Sequence, residues 1–184
     1  MYITPGPNNV MVAASAANHG IRATMPHMLG IATGFAMMLT LVCAGLGSAL
    51  VNWPLLLPLF RWVGTAWLLY LAWQIARAGA PGEGGRTRVL GFMGAVGFQW
   101  INPKAWLIAV GAAGEYLSPN QPIALQLVRI FLIFLAVGMP CLMVWALLGS
   151  GAGRLLHSPA RLRAFNVTMA LLLVVSVLPV LIED

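Results

Sequence analysis

The sequence has few charged residues, and this shortage excludes most classes of soluble protein. Charged side chains make up 8% of the 184 residues, whereas soluble domains carry about 25%. Hydrophobic residues account for 60% of the chain, and the mean hydropathy is +0.89. Because a water-soluble surface cannot be built from so few charges, the composition predicts an integral membrane protein.

Acidic residues and cysteines are scarcer still. The chain has four acidic residues, ten lysines and arginines, and a net charge of +6. The basic residues are scattered between apolar runs, which the positive-inside bias of membrane proteins explains better than nucleic-acid binding. Cys43 and Cys141 have no CxxC spacing, so neither a disulfide framework nor a metal site is indicated. With no nucleophile–base pair in view, we expect neither an enzyme nor a cofactor.

Long apolar runs predict one all-α transmembrane domain over residues 1–184. A bilayer span needs about 20 mostly apolar residues, so the chain has room for six spans and no soluble domain. The first span is expected to be truncated, because only three residues precede Thr4. The predicted spans are 3–18, 28–51, 55–76, 89–113, 122–148 and 164–182.

Arginines in the connectors predict the orientation. The connectors after spans 1, 3 (residues 78–88) and 5 share one side of the membrane and contain, or directly adjoin, most of the basic residues. Such connectors stay in the cytoplasm, so we expect that side to be cytoplasmic. These arginines are Arg22, Arg77, Arg86, Arg88, Arg154, Arg161 and Arg163.

Two polar, proline-containing breaks interrupt spans 1 and 4. They are the segment 4–9 (TPGPNN) and the segment 102–104 (NPK). A broken helix in hydrocarbon costs several kcal/mol per unpaired backbone group, so such breaks persist where they line a cavity. Asn before Pro favours a helix start, and the bare amides and positive dipole of that start suit a carboxylate. Each break therefore predicts a half-helix that begins inside the membrane and binds an anion.

The breaks occupy corresponding places in two halves, about 1–77 and 89–184. Each half holds three predicted spans, and an odd number inverts the second copy relative to the first. Leu46-Gly47-Ser48 also matches Leu148-Gly149-Ser150. Inverted repeats with discontinuous helices are typical of secondary transporters.

Lys104 lies near the middle of span 4, about 18 Å from Gly91 in a core of about 30 Å. A lysine at this depth costs at least about 2.5–3.5 kcal/mol, and no acidic residue lies within a predicted core. We therefore predict that the substrate supplies the anion. The predicted substrate-binding residues are Pro5, Gly6, Pro7, Asn8, Asn9, Gln99, Asn102, Pro103 and Lys104.

Purely structural roles are the alternatives. Lys104 could extend to the interface, and Asn8, Asn9 and Gln99 could join helices through hydrogen bonds. Glycines at 30, 34, 45 and 47 are expected to allow close helix packing. Histidines at 19, 27 and 157 are expected to be solvated in connectors.

Several motifs resemble the lysine exporter (LysE/RhtB) family of bacterial amino-acid efflux proteins. They are TPGPNN (4–9), GIR (20–22), LGIATGF (29–35), GTAWLLYL (64–71), GF (91–92) and NPKA (102–105). The resemblance implies six spans, proton-driven export of amino acids or close derivatives, the inner membrane and a homodimer. Family members carry a longer segment before TPGP, so we expect a shortened first span.

Our hypothesis is an exporter working by alternating access, in which the two halves rock around the paired breaks. The alternatives are a membrane thiol–disulfide carrier using Cys43 and Cys141, a channel or non-transporting subunit, and a truncated inactive homologue. Proton coupling has three candidates, Glu115, Tyr70 and Lys104, because no carboxylate lies in a predicted core.

Overall fold

The computed structural model of the protein describes residues 6–47, 55–78, 90–118, 120–156 and 158–178. These residues form six α-helices and one π-helix, with no strand among them. The helices are α1 (Pro7–Leu41), π1 (Val42–Leu46), α2 (Leu56–Ala76), α3 (Phe92–Ile101), α4 (Pro103–Tyr116), α5 (Ile123–Leu155) and α6 (Pro159–Val175). The all-α expectation is confirmed for this part of the chain.

Helix α1 reverses direction at Gly20 and so contains predicted spans 1 and 2. Gly20 is its one non-helical residue, with φ 80° and ψ 165°, a backbone conformation that glycine adopts at little cost. The hydroxyls of Ser15 and Thr24 share a hydrogen bond of 2.9 Å, although a straight helix would separate them by about 13.5 Å along its axis. The chain therefore folds back at Gly20. The predicted polar connector 19–27 is helical apart from this residue.

Two helical stretches of the described chain are long and apolar enough to cross a membrane, Pro7–Leu46 and Ile123–Leu155. Helix α3 is apolar but shorter. Helix α5 continues to Leu155, beyond the predicted end of span 5 at 148. The predicted turn at 52–54 and the loop 79–88 lie outside the described residues.

Glycines form the closest helix contacts. A Cβ atom at Gly149 or Gly153 of α5 would collide with the carbonyl oxygens of Ala13 and Ala17 in α1. Both pairs have the four-residue spacing of small residues at packed membrane helices. In the second half of α1, a Cβ at Gly30 would likewise collide with the carbonyl oxygen of Phe92.

The predicted packing role is thus confirmed for Gly30, and it holds for Gly34, where a Cβ would lie 2.8 Å from Cα of Val96. Gly45 has a different role. It lies inside π1 and has a positive φ of 118°. There the backbone conformation itself favours glycine.

Apolar side chains fill the space between these helices in two clusters. The larger one surrounds Phe35, Met38 and Leu142, which are fully buried. The smaller one surrounds Phe98, Leu68 and Leu173. These clusters fix α3 and α4 against the first half of α1, and so position the predicted breaks.

Candidate functional site

The first break opens helix α1 as the sequence predicts. Gly6 is the N-cap, in an extended conformation with φ −177° and ψ 175°, and Pro7 takes the first helical position. Proline fits there because its missing N–H would have no helical partner. Gly6, Pro7 and Asn8 are all buried. Pro5 lies outside the described residues.

The second break separates α3 from α4 at Asn102. This residue is extended, with φ −83° and ψ 106°, and its side-chain oxygen accepts a hydrogen bond of 3.2 Å from the amide of Lys104. Pro103 takes the first helical position of α4. The predicted cap is confirmed, and Asn102 is only 1% exposed.

Carbonyl groups freed by the break have partners. The indole Nε1 of Trp106 donates to the carbonyl oxygen of Trp100 at 2.7 Å. The amide of Asn102 donates to the carbonyl oxygen of Gln99 at 3.3 Å. These bonds offset part of the cost of interrupting a helix in an apolar surrounding.

Helix α2 packs directly on the second break. A Cβ atom at Gly64 would collide with the carbonyl oxygen of Ile101 and lie 3.2 Å from Cδ of Pro103. Nearby, the rings of Phe60 and Trp106 stack with their centroids 5.6 Å apart. Glycine at position 64 therefore lets α2 cover the break closely.

The side chain of Lys104, at the start of α4, reaches the start of α1. A Cβ atom at Gly6 would be 2.9 Å from Nζ of Lys104 and 3.4 Å from its Cδ. The Lys104 side chain, half-buried, therefore lies on the N-cap of α1. The structure thus brings together the ammonium group and the beginning of the other half-helix, which both favour negative charge.

The amides of Asn8 and Gln99 form a reciprocal pair. Nδ2 of Asn8 donates to Oε1 of Gln99 at 2.9 Å, and Nε2 of Gln99 donates to Oδ1 of Asn8 at 3.2 Å. Both are buried, as is Asn9. This pair is the interhelical bond that the structural alternative expects, and it joins α1 to α3 beside the breaks.

The two breaks are related position by position. Gly6, Pro7 and Asn8 are the N-cap and first two residues of α1, as Asn102, Pro103 and Lys104 are for α4. From the second helical position, Lys104 reaches the start of α1, and Asn8 reaches Gln99 just before the start of α4. The amides of Lys104, Ala105 and Trp106 at the start of α4 already donate to Asn102, so the groups here that can hold a carboxylate are the Lys104 ammonium and the N-terminal end of α1.

A second polar feature was missed by the sequence analysis. A cavity of about 50 Å³ lies along the first half of α1, and His27 on its wall is 2% exposed. The expectation of a solvated His27 is wrong, because the chain returns to helix directly after Gly20 and carries His27 inward. The cavity is lined by Met11, Ala14, Ser15, Asn18, His19, His27, Leu71, Gln74, Ile75, Ala78 and Leu90.

Other chemistry has little support in the described part of the chain. No group of histidine, cysteine and acidic residues there could hold a metal ion. Cys43 and Cys141 are free thiols, and Cys43 is buried in the larger apolar cluster. Reactive cysteines usually lie in accessible, electropositive surroundings.

An apolar helical chain in which the lysine of one helix break lies on the start of another helix is typical of a membrane transporter. The family comparison agrees, since the model of the LysE type translocator family matches residues 1–183. The chain belongs to this family, as the sequence resemblance predicted. Its members are integral membrane transporters, not enzymes.

Curated relatives carry a more specific description. "Cysteine/O-acetylserine efflux protein" from Salmonella typhimurium (strain LT2) is 33% identical over 175 residues, covering 94% of this chain and 87% of the relative. The protein of the same description from Escherichia coli (strain UTI89) is 32% identical over 173 residues, with the same coverage. No solved structure matches the chain.

Proposed function

We propose that the protein is a secondary transporter that exports small amino acids or close derivatives from the bacterial cytoplasm across the inner membrane. The relatives described as cysteine/O-acetylserine efflux proteins support this substrate class. The proposal includes six spans in two inverted repeats (1–77 and 89–184) that alternate access by rocking around the breaks. It also includes the cytoplasmic connectors, a homodimer and proton-driven transport, all of which follow from the sequence expectations.

The observation that carries the proposal is the contact between Lys104 and Gly6. A substrate carboxylate bound there would meet the ammonium and the N-terminal end of α1 together. Opposite unit charges about 4 Å apart attract by about 4 kcal/mol at an effective dielectric constant of 20. Such an attraction would bind the carboxylate of a zwitterionic substrate, so Lys104 would be the main anion-binding group.

Asn8, Asn9, Gln99 and Asn102 would surround the same point with polar groups. The substrate ammonium needs acceptors, which the side-chain oxygens of Asn8 and Gln99 can provide once their mutual bond opens. Binding would therefore exchange the two interhelical hydrogen bonds of this pair for bonds to substrate. This exchange links occupancy of the site to the contact between the two halves.

Replacement of Lys104 tests the proposal. Lys104→Ala removes a charged hydrogen-bond donor worth about 1.5–3 kcal/mol, so saturable efflux of labelled cysteine or O-acetylserine from vesicles should fall at least about tenfold. Arg129→Ala is the matched control, because it also removes one positive charge, from an exposed side chain that bonds Gln121. It should transport normally.

Both variants must insert into the membrane at wild-type levels for the comparison to count. Normal saturable efflux by an inserted Lys104→Ala protein would contradict the anion site. Non-saturating flux by the unaltered protein would instead indicate a channel. Full activity of the double variant Cys43→Ser/Cys141→Ser would exclude the thiol–disulfide carrier.

A further inference from the structure

The cavity beside the first half of α1 contains an unsatisfied buried histidine. Neither Nδ1 nor Nε2 of His27 has a hydrogen-bond partner within the described structure. Buried polar groups are almost always hydrogen-bonded, so an orphan ring next to a cavity indicates a water or ligand partner. Neither ring nitrogen is accessible to a water molecule in this conformation, so such a partner reaches the ring only when the lining of the cavity moves.

Size and lining fit water molecules. A buried water needs about 10–15 Å³ of such space and two to four polar partners, so the 50 Å³ cavity has room for about three to five waters. Ser15, Asn18 and Gln74 supply polar groups beside His27.

The cavity runs between the candidate site and the turn at Gly20. Met11 begins its lining one helical turn beyond Pro7, and His19, which is exposed, lines the other end. At 1.5 Å per residue the lining covers about 12 Å of α1. In the proposed orientation, the end at His19 faces the cytoplasm.

We propose that His27 is the proton-binding group of the transporter, and that the water-filled cavity connects it to the cytoplasm. This inference rests on the proposed function of proton-driven export. For each substrate molecule exported, a ring nitrogen of His27 accepts one proton that entered from outside and later releases it into the cavity water. Binding forms one N–H bond as an O–H bond of a hydronium ion breaks, and release breaks that N–H bond as a cavity water gains the proton.

His19 is the other titratable group that faces the cavity. No carboxylate, lysine or arginine belongs to its lining among the described residues. The other ionisable groups of the described helices do not line the cavity. They are Arg22, Cys43, Arg61, Tyr70, Arg77, Lys104, Glu115, Tyr116, Arg129, Cys141, Arg154, Arg161 and Arg163.

The surroundings of His27 suit a proton-coupling group because the access of the ring to water would change with the conformation of the protein. The proton affinity of a buried ring depends strongly on its access to water. His27 follows the Gly20 turn on the second half of α1, whereas Ser15 and Asn18 belong to the first half. Leu90, which belongs to the second half of the chain, also lines the cavity, so rocking of the two halves of the chain would open or close it and thereby link proton binding to the conformation of the site.

Two transport assays, exchange and gradient-driven accumulation, distinguish proton coupling from substrate transport itself. Exchange of labelled for unlabelled cysteine across vesicles needs no net proton movement. A gradient of about one pH unit can drive substrate accumulation until its concentrations on the two sides of the membrane differ about tenfold, if one proton moves per substrate molecule. We expect His27→Gln to keep exchange near the wild-type rate but to accumulate no substrate against its gradient. His19→Gln is the matched control, and it should keep both activities.

Accumulation by His27→Gln equal to that of the wild type would overturn the inference. If this variant loses both modes, imidazole ¹⁵N spectra of the unaltered protein in nanodiscs decide, with His19→Gln and His157→Gln used for assignment. A His27 signal that titrates between pH 5 and 8 and shifts with added cysteine supports the assignment; a signal that never titrates overturns it.

Absence of any exchange by the wild type would instead be a failure of the proposed function. The ¹⁵N titration still tests proton binding at His27 in that case. The two failures are therefore distinguishable.

Discussion

Gly6→Ala is the smallest change that disturbs the contact between the two helix starts. Gly6 is extended, at φ −177° and ψ 175°, and the residue before a proline prefers this region. Alanine can therefore adopt the backbone without strain. The new Cβ would lie 2.9 Å from Nζ and 3.4 Å from Cδ of Lys104, closer to Nζ than ordinary contact allows. The ammonium must move, while the fold is unchanged.

The size of the effect follows from that displacement. Moving the ammonium about 1 Å away from a carboxylate first held at about 4 Å loses about 0.8 kcal/mol at an effective dielectric constant of 20. This loss corresponds to about fourfold weaker binding. Because the Lys104 side chain is flexible at its end, we expect the free energy of unfolding to change by less than about 0.5 kcal/mol.

Concentration-dependent exchange of labelled cysteine in vesicles measures this effect as a rise in KM with an unchanged maximal rate. Gly111→Ala is the matched control, because it lies in α4 like Lys104 and an added Cβ meets nothing within 4 Å. Its KM should equal that of the wild type. An unchanged KM for Gly6→Ala would refute the reasoning that the ammonium at Gly6 binds substrate.

Two further predictions concern stability. Gly149→Ala places a Cβ against the Ala13 carbonyl. We therefore expect the free energy of unfolding, measured by thermal unfolding in detergent, to fall by about 1–3 kcal/mol. Gly151→Ala, whose Cβ meets nothing within 4 Å, should not lower the midpoint, because alanine is favoured over glycine in a helix interior by about 0.5–1 kcal/mol, and equal midpoints for both variants would contradict the packing described. Asn8→Ala should lower the free energy of unfolding by about 0.6–1.7 kcal/mol. Gln99→Ala should lower it less in the Asn8→Ala protein than in the wild type. Additive losses would show that the two amides do not interact.

Local chemistry in the sequence was sufficient to predict the breaks. Asn102 before Pro103 is a strong helix-start signal, and the cap forms as expected. Close packing at Gly30 and Gly34 was predicted because small residues let helices approach each other. These features depend on residues close together in the sequence.

Features that depend on the turn at Gly20 could not be predicted. The polar composition of residues 19–27 indicated a loop, but one glycine with positive φ completes the reversal. His27 therefore lies inside a helix, four residues before the fully buried Ile31. That helical spacing was the available signal. The pairing of Asn8 with Gln99 lay beyond sequence reasoning because 91 residues separate them.

The amides of Asn18 and Asn166 exchange hydrogen bonds of 2.8 and 3.0 Å, and Asn166 also donates to the carbonyl oxygen of Ala78 at 3.1 Å. Asn18 emerges from the ribosome 148 residues before Asn166. Until α6 has been made, the amide of Asn18 has only its local bond to Ala14. Helix α6 therefore completes the hydrogen bonding of Asn18 in α1, and the two helices can lock together at this point only after α6 has left the ribosome.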